Sequence, residues 1–251
     1  MMKSLSRMVA AAGLLALGLA AVPASASGGL NKERAGQFVD KLAQRAISEI
    51  ATADISQQER IERFRTLLRQ GFNVPLISRL VLGRYWRRAD ESTRDRFADV
   101  FEKFTVYRYA GLFDKYKGQE LSVVGVSEDG RNGAMVTSRV KQPQGEAVRV
   151  RWRLRPASGD AAGSGDGDAE AAGQETDRPK GLTVEGDGPR WKVVDIVVEG
   201  VSMIVTQRDE FGSIARRQGV DGLIKALKNK VAQFRQDGPP DPPEVVKQGE
   251  G

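Results

Sequence analysis

The sequence predicts an α+β fold, a curved antiparallel β-sheet covered by a layer of α-helices. Three features carry that expectation. Apolar residues recur at helical spacing from Ala35 to Phe113, and after Gly118 the period changes to two. Trp191 to Met203, read as WKVVDIVVEGVSM, is dense in Val and Ile, the composition of a strand covered on both faces.

Taken in order, the chain opens with a targeting segment rather than a structural element. Lys3 and Arg7 form a positive n-region, Val9 to Val22 an apolar core, and Ala24-Ser25-Ala26 an A-x-A cleavage site. Residues 1–26 are therefore read as a signal peptide, with a mature protein starting near Ser27 and exported across a bacterial inner membrane into the periplasm. Asn31 to Ile50 reads as the first helix, its stripe made of Ala35, Phe38, Val39, Leu42, Ala46, Ile47 and Ile50. Ser56 and Glu59 form a capping box for a second helix, which Gly71 ends. A third follows Pro75, and Asp90 or Ser92 caps a fourth that carries a band of aromatics at Phe97, Phe101 and Phe104.

Leu121 to Val126 and Ala134 to Val140 are paired strands joined by a turn with D-G and N-G signals. Val148 to Arg155 alternates Val148, Val150, Trp152 and Leu154 with Arg149, Arg151, Arg153 and Arg155. Such alternation sets one face against apolar material and one in water, where the arginines make a positive patch. Residues 156–180, rich in Gly, Ala, Asp and Glu, read as a disordered loop inserted between strands. Sheet resumes at Thr183 and, after a Gly-Asp-Gly turn before Pro189, continues through the Trp191 strand, a turn at Gly200 and a second apolar run, Val201 to Val205. Thr206 to Arg217 is a helix closed by Gly219, and Asp221 to Phe234 a last helix. The polar, Pro-rich tail at 237–251 is read as unstructured, which leaves 27–236 as one domain.

Composition excludes much chemistry. The chain of 251 residues has neither Cys nor His. That removes Ser-His-Asp and Cys-His nucleophiles and His- or Cys-ligated zinc or copper. Net charge is +6, and losing Lys3 and Arg7 leaves about +4, mildly basic and no nucleic-acid signature. The Gly159 to Gly173 stretch lacks the strand-before, helix-after setting of a phosphate loop, and Asp166 with Asp168 imitates a calcium loop without its Glu. No catalytic residue, metal or cofactor is expected. Asp195 and Glu199 sit inside the apolar run, and a buried carboxylate there needs a hydrogen-bonding partner. An enzyme using Asp195 with Tyr or Lys is one competing reading, and an interaction adaptor with a filled core is another. Helices over a sheet either fill the space with side chains or enclose a ligand cavity, and periodicity does not decide which.

Leu82-Gly83-Arg84-Tyr85-Trp86-Arg87-Arg88-Ala89, then Arg94 with Phe97 and Phe101, Tyr107, Tyr116-Lys117-Gly118-Gln119, WKVVDIVVEGVSMI, Gln207 to Phe211 and Gly219 to Ile224 together resemble the MlaC family, the toluene-tolerance auxiliary component of ABC transporters. The resemblance runs from about Ala35 to Lys230, and D-x-x-x-E-G-V-S-M is its most specific piece. The 156–180 insertion and the Pro-rich tail depart from it. A hopanoid-biosynthesis-associated branch shares the pattern, so a hopanoid or other lipid is an alternative cargo.

The resemblance implies a periplasmic carrier whose apolar cavity, between helices and sheet, takes the acyl chains of a phospholipid while its head group stays near solvent. It also implies two membrane partners, an outer-membrane lipoprotein–porin complex and an inner-membrane ABC transporter with an MCE-domain protein. The energetics fit, since about 0.8 kcal/mol per CH₂ makes a two-chain lipid roughly 20 kcal/mol too costly to expose to water. On that basis the expected lining is Leu80, Val81, Phe97, Phe101 and Phe104 from helices, with Val124, Val150, Trp152, Val194, Ile196, Val201 and Met203 from strands. Arg84, Arg87 and Arg88 are expected to meet a head group or an acidic partner.

Overall fold

The stripe that begins at Ala35 folds as a helix because its apolar side has a sheet to lie on. The structure, a computed structural model, describes residues 32–157 and 191–238. The leader at 1–26 and the start at Ser27, the insertion beyond residue 157, the strand at Thr183 with the turn before Pro189, and the tail from 239 lie outside the described residues.

Helix α1 (Lys32–Ala46) buries Ala35, Phe38, Val39 and Leu42, and its end widens into a π-helical turn, Ile47–Ala51, that buries Ile50. Helix α2 (Gln57–Gly71) starts at the capping box, with the Ser56 hydroxyl accepting from the Glu59 N–H at 3.2 Å. Helix α3 (Val74–Leu82) is capped by Asn73, which accepts from the Leu76 N–H at 3.1 Å, and carries Pro75 in its first turn, where a missing N–H costs nothing. A 3-10 turn, Gly83–Arg88, leads to α4 (Glu91–Asp114). Of the two candidate caps it is Asp90 that accepts from the Thr93 N–H, at 2.7 Å.

Strands β1 (Glu120–Glu128), β2 (Ala134–Lys141), β3 (Val148–Pro156), β4 (Trp191–Val198) and β5 (Val201–Ser202) form a five-stranded antiparallel meander in chain order. Register sets Val136 opposite Trp152 and Trp152 opposite Ile196, so these share one face. Register shifts leave Val124 of β1 and Val194 of β4 without ladder partners, and such bulges bend the strands that carry them.

One expectation needs correction. The run Val201 to Val205 is not a full strand. It pairs for two residues, and α5 (Met203–Asp237) starts at once because the Ser202 hydroxyl accepts from the Val205 N–H at 3.2 Å. Gly219 divides α5 into two helical segments, as expected, at φ 71° and ψ 177°, a non-helical conformation essentially reserved for glycine.

Packing divides into two cores. In the helical one, Phe97, Phe101 and Phe104 of α4 surround Phe211 of α5 with ring centroids 6.3, 6.1 and 5.8 Å from it, all near edge-on. In the other, Phe38, Val39 and Leu67 of α1 and α2 meet Val136, Leu154, Trp191 and Val193 of the sheet. Phe64 and Phe72 pack against both cores. The Asn73 N–H donates to the Val193 carbonyl at 3.0 Å, pinning the α2–α3 corner to β4. Among the described residues no helix is long and apolar enough to cross a membrane.

Gly219→Ala should lower unfolding stability by about 1–3 kcal/mol, because alanine must leave this conformation or strain to keep it. Urea unfolding with helicity as the signal checks this; an unchanged midpoint would mean that the kink relaxes freely.

Candidate functional site

Where the cores meet there is a cavity of about 720 Å³. Its size falls within the roughly 300–1,000 Å³ of ligand pockets. One wall comes from α1 and α2, with Leu42, Ala46, Phe64 and Leu67 facing in, and Phe72 continues it beyond α2. The opposite wall is sheet, with Trp152, Val194, Ile196 and Val198, and Val201 and Met203 continue it around the β4–β5 turn. Phe101 and Phe113 of α4 and Ile77 of α3 complete the apolar surface. A polar strip interrupts it, made of Thr105, Arg108 and Tyr109 on α4 facing Thr206, Gln207 and Glu210 on α5.

The sheet wall is held in place by a hydrogen-bond chain. The Trp152 indole N–H donates to the Ser138 hydroxyl at 2.9 Å, and that hydroxyl donates to the Val150 carbonyl at 3.2 Å. Ser138 is fully buried, so the pair fixes the Trp152 ring as part of the wall rather than a loose gate.

Asp195 also touches the cavity, yet its carboxylate is occupied. It accepts from the Ser202 hydroxyl at 2.7 Å and the Ile204 N–H at 3.2 Å, with an Arg153 guanidinium nitrogen 3.6 Å away. Its role here is to tie the start of α5 to β4. Glu199, at φ 46°, accepts from the Arg149 N–H through its side chain and donates its own N–H to the Arg149 carbonyl at 3.0 Å. Gly200 follows at φ 88°, where a side chain would be strained. The D-x-x-x-E-G-V-S-M run is thus a turn in which Asp195, Glu199, Gly200 and Ser202 set geometry, leaving Val201 and Met203 to face the cavity.

Of the residues expected from sequence to line it, Phe101, Trp152, Val194, Ile196, Val201 and Met203 are brought together at the cavity. The others are placed elsewhere. Val81, Phe97 and Phe104 are consumed in the helical core, the two phenylalanines by the contacts around Phe211. Leu80 is exposed on α3. Val124 falls in the β1 bulge without a ladder partner and is 55% exposed. Val150 is buried beside the wall but is not part of it.

Arg84, Arg87 and Arg88 lie on the exposed 3-10 turn, away from the cavity wall. Arg84 donates to the Tyr85 hydroxyl at 3.1 Å, and the residue stacked on Trp86 is Arg94, 5.7 Å from the ring centroid. The positive face of β3 is partly neutralised, since Asp129 pairs with Arg153 at 3.1 Å and Arg155 at 2.6 Å.

Sequence reasoning missed the contributions of α1 and α2 and the polar strip. Leu42 and Ala46 belong to the apolar stripe of the first helix, but a stripe does not say what it faces. For Arg108 a signal existed: Phe101, Thr105, Tyr109 and Phe113 recur every four residues on one helix face, and Arg108 follows Thr105 by three.

An α+β meander with helices folded across it, and an apolar cavity left between, defines a class of protein built to enclose a greasy ligand. A family model described as MlaC protein matches residues 38–162 and 182–229, and the chain belongs to that family. The intermembrane phospholipid transport system binding protein MlaC of Haemophilus influenzae is similar, 23% identical over 205 residues that span 76% of this chain and 81% of that protein. The fold is also that of a phospholipid-binding protein from Ralstonia solanacearum, solved in complex with a phospholipid. That likeness has a TM-score of 0.59 at 19% identity and covers 80% of this chain and 98% of the other.

Ser138→Ala should cost roughly 1–3 kcal/mol by leaving the Trp152 N–H without its acceptor. Adding Trp152→Phe removes the orphaned donor and should recover part of that loss. Denaturant midpoints of the two single variants and the double variant check it, and strict additivity would show that the hydrogen bond contributes nothing.

Proposed function

We propose that the chain is a periplasmic carrier that holds the acyl chains of a phospholipid in the cavity between its two cores and moves the lipid between the outer membrane and an inner-membrane ABC transporter. The observation that carries this reading is the cavity itself, with an apolar wall drawn from α1, α2, α3, α4 and the sheet. At about 30 Å³ per water-sized group, 720 Å³ gives room for on the order of two dozen such groups. At about 0.8 kcal/mol per sheltered CH₂, that room offsets most of the cost of carrying a lipid through water.

Membership of the MlaC family supports the reading, as does the phospholipid named for both relatives. No bond of the cargo has to change in a carrier of this kind. Asp195, the one carboxylate the sequence offered for chemistry, serves the β4–α5 turn instead. The partners are an MCE-domain protein of the transporter and an outer-membrane lipoprotein–porin complex. Each would have to receive a lipid whose chains are hidden until contact.

Native protein purified without detergent and extracted with organic solvent should yield phospholipid by mass spectrometry. Ile196→Glu, which puts a carboxylate into the wall, should lose that lipid with helicity unchanged. Val124→Glu, on the exposed bulge, should keep it. Equal lipid in the two variants would count against the cavity as the binding place.

A further inference from the structure

We propose that Arg108, together with the hydroxyl of Tyr109, is an oxyanion seat in the cavity wall that takes the acidic group of the cargo, a lipid phosphodiester. The inference rests on the carrier reading and deepens it, because it selects among lipids of equal hydrocarbon content.

Four observations meet here. Arg108 lines the cavity, and its Nε is buried without a hydrogen-bond partner, as is the Thr105 hydroxyl one turn earlier. Arg108 makes no ion pair among the described residues. Its guanidinium lies over the Phe104 ring, whose centroid is 5.5 Å from Cζ. Stacking of that kind orients the guanidinium plane and leaves its in-plane N–H groups free to donate.

The Tyr109 hydroxyl accepts from the Gln207 amide at 3.3 Å, so its own hydrogen is available to a second partner. Two carboxylates share the cavity, and neither neutralises Arg108. Asp195 is occupied by Ser202, the Ile204 N–H and Arg153, and Glu210 lies beyond ion-pair distance.

A half-buried guanidinium in an apolar wall, beside a buried hydroxyl also lacking a partner, is poorly solvated and uncompensated. A phosphodiester supplies the missing countercharge. Its oxygens accept from the terminal nitrogens of Arg108 and from the Tyr109 hydroxyl. A lipid without an anionic group, such as a diacylglycerol or an uncharged polycyclic, gains none of this.

The test gives the full mature chain, its R108M variant and its R108K variant two probes from donor vesicles. One is dioleoylphosphatidylglycerol, the other dioleoylglycerol, with identical chains, and retained lipid is counted by extraction and mass spectrometry. Loss of a charge-assisted contact predicts about tenfold less phosphatidylglycerol on R108M, unchanged dioleoylglycerol, and an intermediate value for R108K. Superimposable thermal melts of the lipid-free proteins establish that R108M is folded. Equal loss of both probes, or none of either, overturns the seat while leaving the carrier reading in place. Failure of the unsubstituted protein to take up either probe overturns both. Inorganic phosphate alone should leave the melt of the lipid-free protein unmoved. A stabilisation by phosphate that R108M abolishes would overturn a lipid as the source of the anion.

Discussion

Two separate cores, bridged among the described residues by Phe64 and Phe72, are what make this interior hollow. Each is closed by its own packing. Phe97, Phe101 and Phe104 satisfy one another around Phe211, and the α1 stripe satisfies the sheet through Val136, Leu154 and Val193. Neither core has atoms left over to fill the seam. The apolar walls of that seam make hydrocarbon a better occupant than water.

Keeping the seam open is the work of short polar links rather than of more apolar mass. Asn73 pins the α2–α3 corner to Val193, Ser138 holds the Trp152 ring, and Asp195 fastens the first turn of α5 to β4. Each is a buried or half-buried group whose hydrogen bonds are directional, whereas apolar packing alone would let the walls slide together. The β4–β5 turn shows the same division of labour. Its polar residues fix the angle of entry into α5, and the apolar residues between them, Val201 and Met203, face the cargo space.

Element type was legible in the sequence because period and caps are local. Ser56 and Asp90 started helices as their side chains dictate, and the alternation through Val150, Trp152 and Leu154 gave a strand. Where a helix is apolar on more than one side, locality fails. Helix α4 offers Phe97 and Phe104 to α5, Phe113 to the cavity and Phe101 to both, and nothing in a 3.6-residue period separates those destinations. Val124 was misplaced for a related reason: a bulge shifts every later residue to the other face, and Gly125 alone does not announce one. The strand expected over Val201 to Val205 lost to Ser202, whose hydroxyl can cap only if the helix begins directly after it.

A carrier faces a further constraint, which is that it must let go. Transfer from a bilayer into this cavity moves a chain from hydrocarbon to hydrocarbon, so the large penalty of exposure to water appears in neither end state and the hydrophobic difference between them is small. What discriminates cargo, and what tips exchange one way or the other, then falls to the few polar contacts that differ between a membrane surface and the protein. In this chain the seat proposed on the polar strip of α4 and α5 would supply such contacts. A guanidinium there can trade its place on a phosphodiester for the phosphodiester's place among lipid head groups at little net cost. That near balance suits repeated loading and unloading better than a deeper, wholly apolar pocket would.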